Sequence, residues 1–220
     1  LRILDPTSAQ LGIDALGYEE EQKQLYLENL NKPYGMILVT GPTGSGKTVS
    51  LYTGLNILNT ADRNISTCED PVEINLTGIN QCHMNPKAGL TFATALRAFL
   101  RQDPDVIMVG EVRDTETADI CMRAALTGHF VFSTLNTNDS LSSVTRLQDM
   151  GIEPFLLSST LRLLVAQRLL RRLCEECKVP MQIDAESAQR YDIDPNTVVF
   201  RPGGCSRCRE TGYKGRLAVF

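Results

Sequence analysis

Residues 36–48 read Met-Ile-Leu-Val-Thr-Gly-Pro-Thr-Gly-Ser-Gly-Lys-Thr, and this stretch decides the fold of the 220-residue chain. Met36 to Thr40 form a run of strand length. The next eight residues fit G-x-x-x-x-G-K-[ST] at every fixed position, from Gly41 through Gly46, Lys47 and Thr48. Gly41, Gly44 and Gly46 let the backbone curl, so that N–H groups of the loop, including those of Thr43 and Ser45, turn inward on a phosphate. Lys47 adds a mobile charge for the β- and γ-phosphates, and Thr48 offers a hydroxyl to Mg²⁺. Val49, Leu51, Tyr52, Leu55 and Leu58 then supply the apolar positions of a helix whose N-terminus faces the same phosphate. Strand, glycine loop and helix in this order predict a nucleoside-triphosphate site.

Working outward, Pro33-Tyr34-Gly35 punctuates the entry to that strand, and residues 19–31 read as an amphipathic helix within a lead-in spanning 1–34. Asn64–Cys68, Val106–Val109 and Phe130–Thr134 read as further buried strands. Leu90–Arg101 reads as a helix, and Asp114 caps another that Gly128 ends. Buried strands alternating with helices predict an α/β fold with a mainly parallel sheet covered on both faces, over residues 35–172. After about Leu173 the composition shifts to Cys, Gly, Arg and Pro, which marks a second small unit over 173–220.

Apolar content of 42% and charged content of 22% are those of an ordinary globular protein. A net charge of −4 and a pI near 5.3 argue against a dedicated nucleic-acid surface. The most apolar stretch, residues 155–173, is broken by Arg162, Arg168, Arg171 and Arg172, so no membrane span is expected. The chain opens at Leu1 rather than Met, as expected of a segment of a longer protein.

A phosphate loop binds nucleotide; hydrolysis also needs a carboxylate that orients water, usually at the end of a neighbouring strand. Glu111, after Val106-Ile107-Met108-Val109-Gly110, stands at such a place. A glutamate that merely closes a strand is the plainer alternative. Glu69-Asp70-Pro71-Val72-Glu73 places three acids in five residues, which either gather around Mg²⁺ or form a solvated acidic turn. His129 opens a strand, where a structural histidine is the commoner case.

Taken together, Gly41–Thr48, Glu69–Glu73, Val109–Asp114 and Thr127-Gly128-His129 resemble the four ordered boxes of the secretion ATPase superfamily. The resemblance is nearest to the assembly ATPases of type IV pili and the type II secretion ATPases, and it covers nearly the whole chain. It implies a RecA-like P-loop NTPase fold and a cytoplasmic homo-hexameric motor, peripheral to the bacterial inner membrane, with an inner-membrane platform protein as partner. It implies that Glu111 is catalytic and that Lys47 and Thr48 hold ATP and Mg²⁺. Glu69, Asp70 and Glu73 would support the metal, and His129 would sense nucleotide. One position departs from the pattern: Asn136 stands where the family's box usually carries a second histidine, and an amide cannot become cationic. Arg97, Arg101 and Arg113 are all candidates for an arginine that completes a neighbour's site, with helix-surface salt bridges the equal alternative. A DNA-translocating ATPase and a nucleotide-sensing module that never hydrolyses ATP are the rival readings.

Seven cysteines beside an ATP site of this type favour thiols or metal ligands over disulfides. Cys174-x-x-Cys177 and Cys205-x-x-Cys208 form two knuckles separated by 27 residues. Four such thiolates suit structural Zn²⁺, which a lobe too small to be stable alone requires. Similar lobes occur in the pilus-assembly and type II secretion ATPases but not in the retraction ATPases. Cys68, Cys82 and Cys121 fall outside this pattern and read as small apolar residues.

Overall fold

The structure, a computed structural model, describes residues 12–220, so residues 1–11 of the expected lead-in lie outside the described residues. Two compact units are present. One closes at Arg168 and takes back Ala218–Phe220; the other is Leu169–Leu217.

The first unit is built on six strands, β1 (Gly35–Thr40), β2 (Ile65–Glu69), β3 (Asn80–His83), β4 (Val106–Val109), β5 (Phe130–Leu135) and β6 (Leu161–Ala166). They lie in the order β3-β2-β4-β5-β1-β6, and every pairing is parallel. Helices on both faces of a parallel sheet explain why the central strands are buried along their whole length. Met36 and Leu38 of β1 enter one core cluster, while Ile37 and Val39 enter the other. Ile107 and Val109 of β4 go with the first pair, Val106 and Met108 with the second. Each such residue is at most 2% exposed, and each contributes on the order of 1.5–3 kcal/mol by leaving water.

Helices α1 (Glu20–Leu30) and α2 (Lys47–Leu58) supply the second cluster with Tyr26, Leu30, Leu51, Tyr52, Leu55 and Leu58. Helices α3 (Phe92–Phe99), α4 (Thr115–Leu126), α5 (Ser140–Asp149) and α6 (Pro154–Thr160) cover the other face. Their starts are set locally. Glu19 N–H donates to Gln22 Oε1 at 3.1 Å ahead of α1, and Thr117 N–H donates to Asp114 Oδ1 at 2.8 Å in α4. The chain from Glu20 onward is therefore part of the first unit's core rather than a linker, because Tyr26 and Leu30 are each 1% exposed.

In the second unit, β7 (Arg168–Leu173) pairs with β10 (Tyr213–Val219). Strands β8 (Val179–Gln182) and β9 (Val198–Arg201) form an antiparallel pair around the short helix α7 (Ala185–Arg190).

Candidate functional site

Register brings the chemistry to one edge. Thr40, the last residue of β1, pairs with Leu135 of β5 and Ala166 of β6, and Val109 of β4 pairs with Ser133. The residues that follow these carboxyl ends share one rim, which is where ligands bind in parallel sheets. They are the 41–46 loop, Gly110–Glu111, Asn136 and Gln167.

The loop itself is shaped for a phosphate. Gly41 has φ 147°, and a Cβ there would stand 2.3 Å from the Gln167 carbonyl oxygen, so only glycine fits. Gly46, which precedes α2, has φ 91°. Gln167 is 2% exposed and anchors the loop from the neighbouring strand end. Its N–H donates to Thr40 O at 2.8 Å, and Ser50 Oγ donates to Gln167 Oε1 at 2.8 Å. Within this loop the hydroxyl of Ser45 is buried without a hydrogen-bond partner. Such a group is costly unless a ligand completes it, so the loop fits a phosphate.

Lys47 donates to Gly41 O at 2.7 Å, Pro42 O at 3.1 Å and Asn136 Oδ1 at 2.9 Å. Partial burial, aided by the nearby Arg168 guanidinium, lowers the pKa of its ammonium group. The Asn136 amide then turns its other end to the expected catalytic acid: Nδ2 donates to Glu111 Oε2 at 3.0 Å. Glu111 is placed by cross-strand bonds. Gly110 N–H donates to Cys68 O at 2.8 Å, Val112 N–H to Thr134 O at 3.0 Å, and Thr134 Oγ1 to Gly110 O at 2.8 Å. Arg113 forms an ion pair with Glu111 Oε1 and lies 3.8 Å from Asp70 Oδ2.

The acidic turn divides into different roles. Glu69 is only 3% exposed, and its carboxylate accepts from Tyr52 Oη at 2.5 Å, Thr67 Oγ1 at 2.5 Å and Gln81 Nε2 at 3.1 Å. With both oxygens so engaged it is the centre of a buried network. Asp70 is exposed beyond it, and the backbone amide of Glu73 points at the Tyr52 oxygen.

His129 lies away from these residues. It sits at the amino end of β5, about 20 Å along the strand from the rim at about 3.3 Å per residue. Its Nδ1 and its backbone N–H both lie 3.1 Å from Ala124 O in the last turn of α4. There it ties the start of β5 to the last turn of α4. Of the candidate arginines, Arg97 pairs with Glu116 at 2.6 Å.

In the second unit the four sulfurs of Cys174, Cys177, Cys205 and Cys208 lie within 4.8 Å of one another. The separations are 3.9 Å for Cys174–Cys205 and 3.7 Å for both Cys177–Cys208 and Cys205–Cys208. A Zn–S bond of about 2.3 Å in a tetrahedron requires sulfurs about 3.8 Å apart, so the set fits structural Zn²⁺. Desolvation raises the Cys208 thiol pKa, but N–H groups of Cys205 and Gly212 at 3.4 and 3.2 Å help to bring it down to about 6. Close backbone packing holds the knuckles together: a Cβ on Gly203 would stand 2.0 Å from the Cys177 carbonyl oxygen.

Comparison with known proteins places this arrangement. The family model for the Type II/IV secretion system protein matches residues 1–220. The chain is 61% identical to a type IV pilus assembly ATPase PilB of Acinetobacter baylyi, covering all of this chain and 39% of that protein. It is 52% identical to a type II secretion system protein E of Dickeya dadantii, again over the whole chain and 44% of the relative. The chain thus spans about two fifths of the length of these relatives. Among solved structures, the pilus retraction motor PilT with bound ADP superposes with a TM-score of 0.68 at 38% identity, over 75% of this chain and 50% of that one. The ATPase DotB of Legionella pneumophila gives 0.63 at 29% identity, over 84% of this chain and 55% of that one.

Proposed function

The chain belongs to the Type II/IV secretion system protein family, and from that premise we propose that it is the ATP-hydrolysing part of a motor powering type IV pilus assembly. The observation that carries the chemistry is the placement of Lys47 and Glu111 on one rim, joined through Asn136. The loop amides and Lys47 hold the phosphates, and the Thr48 hydroxyl holds Mg²⁺, which supplies charge neutralisation on the β- and γ-phosphates when bound. Glu111 orients the attacking water and accepts its proton. Asp70, beside the Glu111–Arg113 pair, and Glu73 complete the acidic surround.

Hydrolysis then removes the contacts that the γ-phosphate made with the rim, and the arrangement of the protein around it changes. A homo-hexameric ring on the cytoplasmic side of the inner membrane, acting on a platform protein, belongs to the same proposal. Among the described residues no helix is long and apolar enough to cross a membrane. The cysteine tetrad holds Zn²⁺ as a structural ion. A second reading, assembly of a type II secretion pseudopilus, is favoured by the 52% identity to a type II secretion relative.

The test is Mg²⁺-dependent ATP hydrolysis as a function of protein concentration, beside Glu111→Gln and with or without DNA. Turnover per chain is expected to rise with concentration, ignore DNA and collapse in the variant. Strong DNA stimulation would instead indicate a translocase, and binding without hydrolysis a nucleotide-sensing module. Loss of piliation or of secretion on gene disruption separates the two assembly readings.

A further inference from the structure

We infer that Asn136 is a positioning residue that makes the orientation of Glu111 depend on where Lys47 is engaged, an inference that rests on the hydrolase reading. The amide lies between a group that can only donate and one that can only accept, so its two ends are assigned without ambiguity. Oδ1 takes a hydrogen bond from Lys47 at 2.9 Å, and Nδ2 gives one to Glu111 at 3.0 Å. No direct contact between lysine and glutamate is needed.

The three ammonium donors of Lys47 are all in use, on Gly41 O, Pro42 O and Asn136 Oδ1. A phosphate that claims Lys47 must therefore displace at least one of them. Two acceptors are carbonyls of the loop that itself wraps the phosphate. The third is a side chain 89 positions away, just past the end of β5, and it is the one whose loss is felt at the acid. On the other side, Arg113 pairs with Oε1 of Glu111 while Asn136 occupies Oε2. A water that gives its proton to Glu111 must share these oxygens with the two partners, and they fix the direction in which the carboxylate faces. Withdrawal of Lys47 toward phosphate frees the Asn136 amide to re-aim, and Glu111 with it. Occupancy of the loop is thereby linked to readiness of the acid.

The discriminating variants change the amide's chemistry at an exposed position outside any strand or helix, where folding is not at stake. Asn136→Ala removes both bonds. Asn136→Asp keeps an acceptor for Lys47, cannot donate to Glu111, and places a second negative charge beside it. In Asn136→His, a neutral imidazole has one nitrogen to accept and one to donate, but an imidazolium can only donate. With the full chain and saturating Mg²⁺-ATP, kcat of the Ala and Asp variants is expected to fall about tenfold or more, since general-base assistance is worth at least that much. KM rises in Asp, because the carboxylate competes with phosphate for Lys47. The His variant is expected to recover kcat to within about threefold of wild type at pH 8. It should then lose kcat on acidification, below the usual imidazole pKa of about 6.5, with an acid limb that wild type lacks.

Ala and His variants equally impaired at pH 8, an Ala variant with wild-type kcat, or a His profile superposable on that of wild type would each overturn the inference. The hydrolase reading would survive all three, provided that wild type turns over ATP and Glu111→Gln does not. Absence of wild-type turnover overturns both.

Discussion

Tyr52, on the helix that follows the phosphate loop, donates its hydroxyl to Glu69 Oε2 at 2.5 Å, at the end of a different strand. The backbone amides of Ile74 and Glu73 point at the same phenolic oxygen. The helix that cradles phosphate and the acidic turn are thus held together through one buried phenol. Burial, and then the adjacent Glu69 carboxylate, push the pKa of Tyr52 well above the usual phenol range, so it remains a donor.

Replacing Tyr52 by Phe removes one of three donors from a carboxylate that is 3% exposed. The expected cost is about 1–3 kcal/mol of stability, because the acceptor left behind has no water to turn to. Chemical denaturation compared with wild type checks it, and a loss below about 0.5 kcal/mol would be no more than a neutral surface change produces.

At Gly41 the prediction concerns binding. Alanine there meets both an unfavourable φ of 147° and the Gln167 carbonyl oxygen at 2.3 Å. Gly41→Ala is expected to weaken ATP binding at least about tenfold, or about 1.4 kcal/mol, by displacing the loop from Gln167. Titration with a fluorescent ATP analogue measures this, and an unchanged affinity would show that the loop tolerates the shift.

His129→Ala separates the role implied by resemblance from the one that its position supports. Its ring bonds to Ala124 O at 3.1 Å, at the strand end opposite the rim. The kcat for ATP is expected to stay within about threefold of wild type, with a stability loss of about 0.5–1.5 kcal/mol for the lost hydrogen bond. A drop of a hundredfold or more in kcat at unchanged stability would restore a catalytic role to this histidine.

The cysteine tetrad makes a metal-content prediction. The purified chain should carry about one equivalent of Zn²⁺ bound through four sulfurs, measurable by atomic emission and by the charge-transfer spectrum after Co²⁺ exchange. Chelation, or Cys205→Ser, should abolish hydrogen-exchange protection in residues 169–217, since a lobe of this size has little core of its own. Full protection after complete chelation would show that the lobe folds without metal.

Much of this molecule was legible in the chain. The apolar runs at 36–40, 106–109 and 130–134 became β1, β4 and β5, and Asp114 became a helix cap, because burial on both faces and capping are local demands. Strands β3 and β6 carry no such signal. Asn80–His83 is a polar edge strand, and Leu161–Ala166 has no clean alternation, so each owes its conformation to the neighbour that pairs with it. Gln167 carried no signal at all, since it matters only because β6 ends beside β1.

By itself the sequence determined the phosphate loop, the buried strands around it and the two cysteine knuckles, because their chemistry resides in residues a few positions apart. Which acid is exposed and which is sealed into a network, that His129 lies at the opposite end of its strand, and that Asn136 joins Lys47 to Glu111 were decided only by tertiary structure. Those relations depend on parallel register across β4, β5 and β1, which brings residues 89 and 25 positions apart within 3.0 Å of one another.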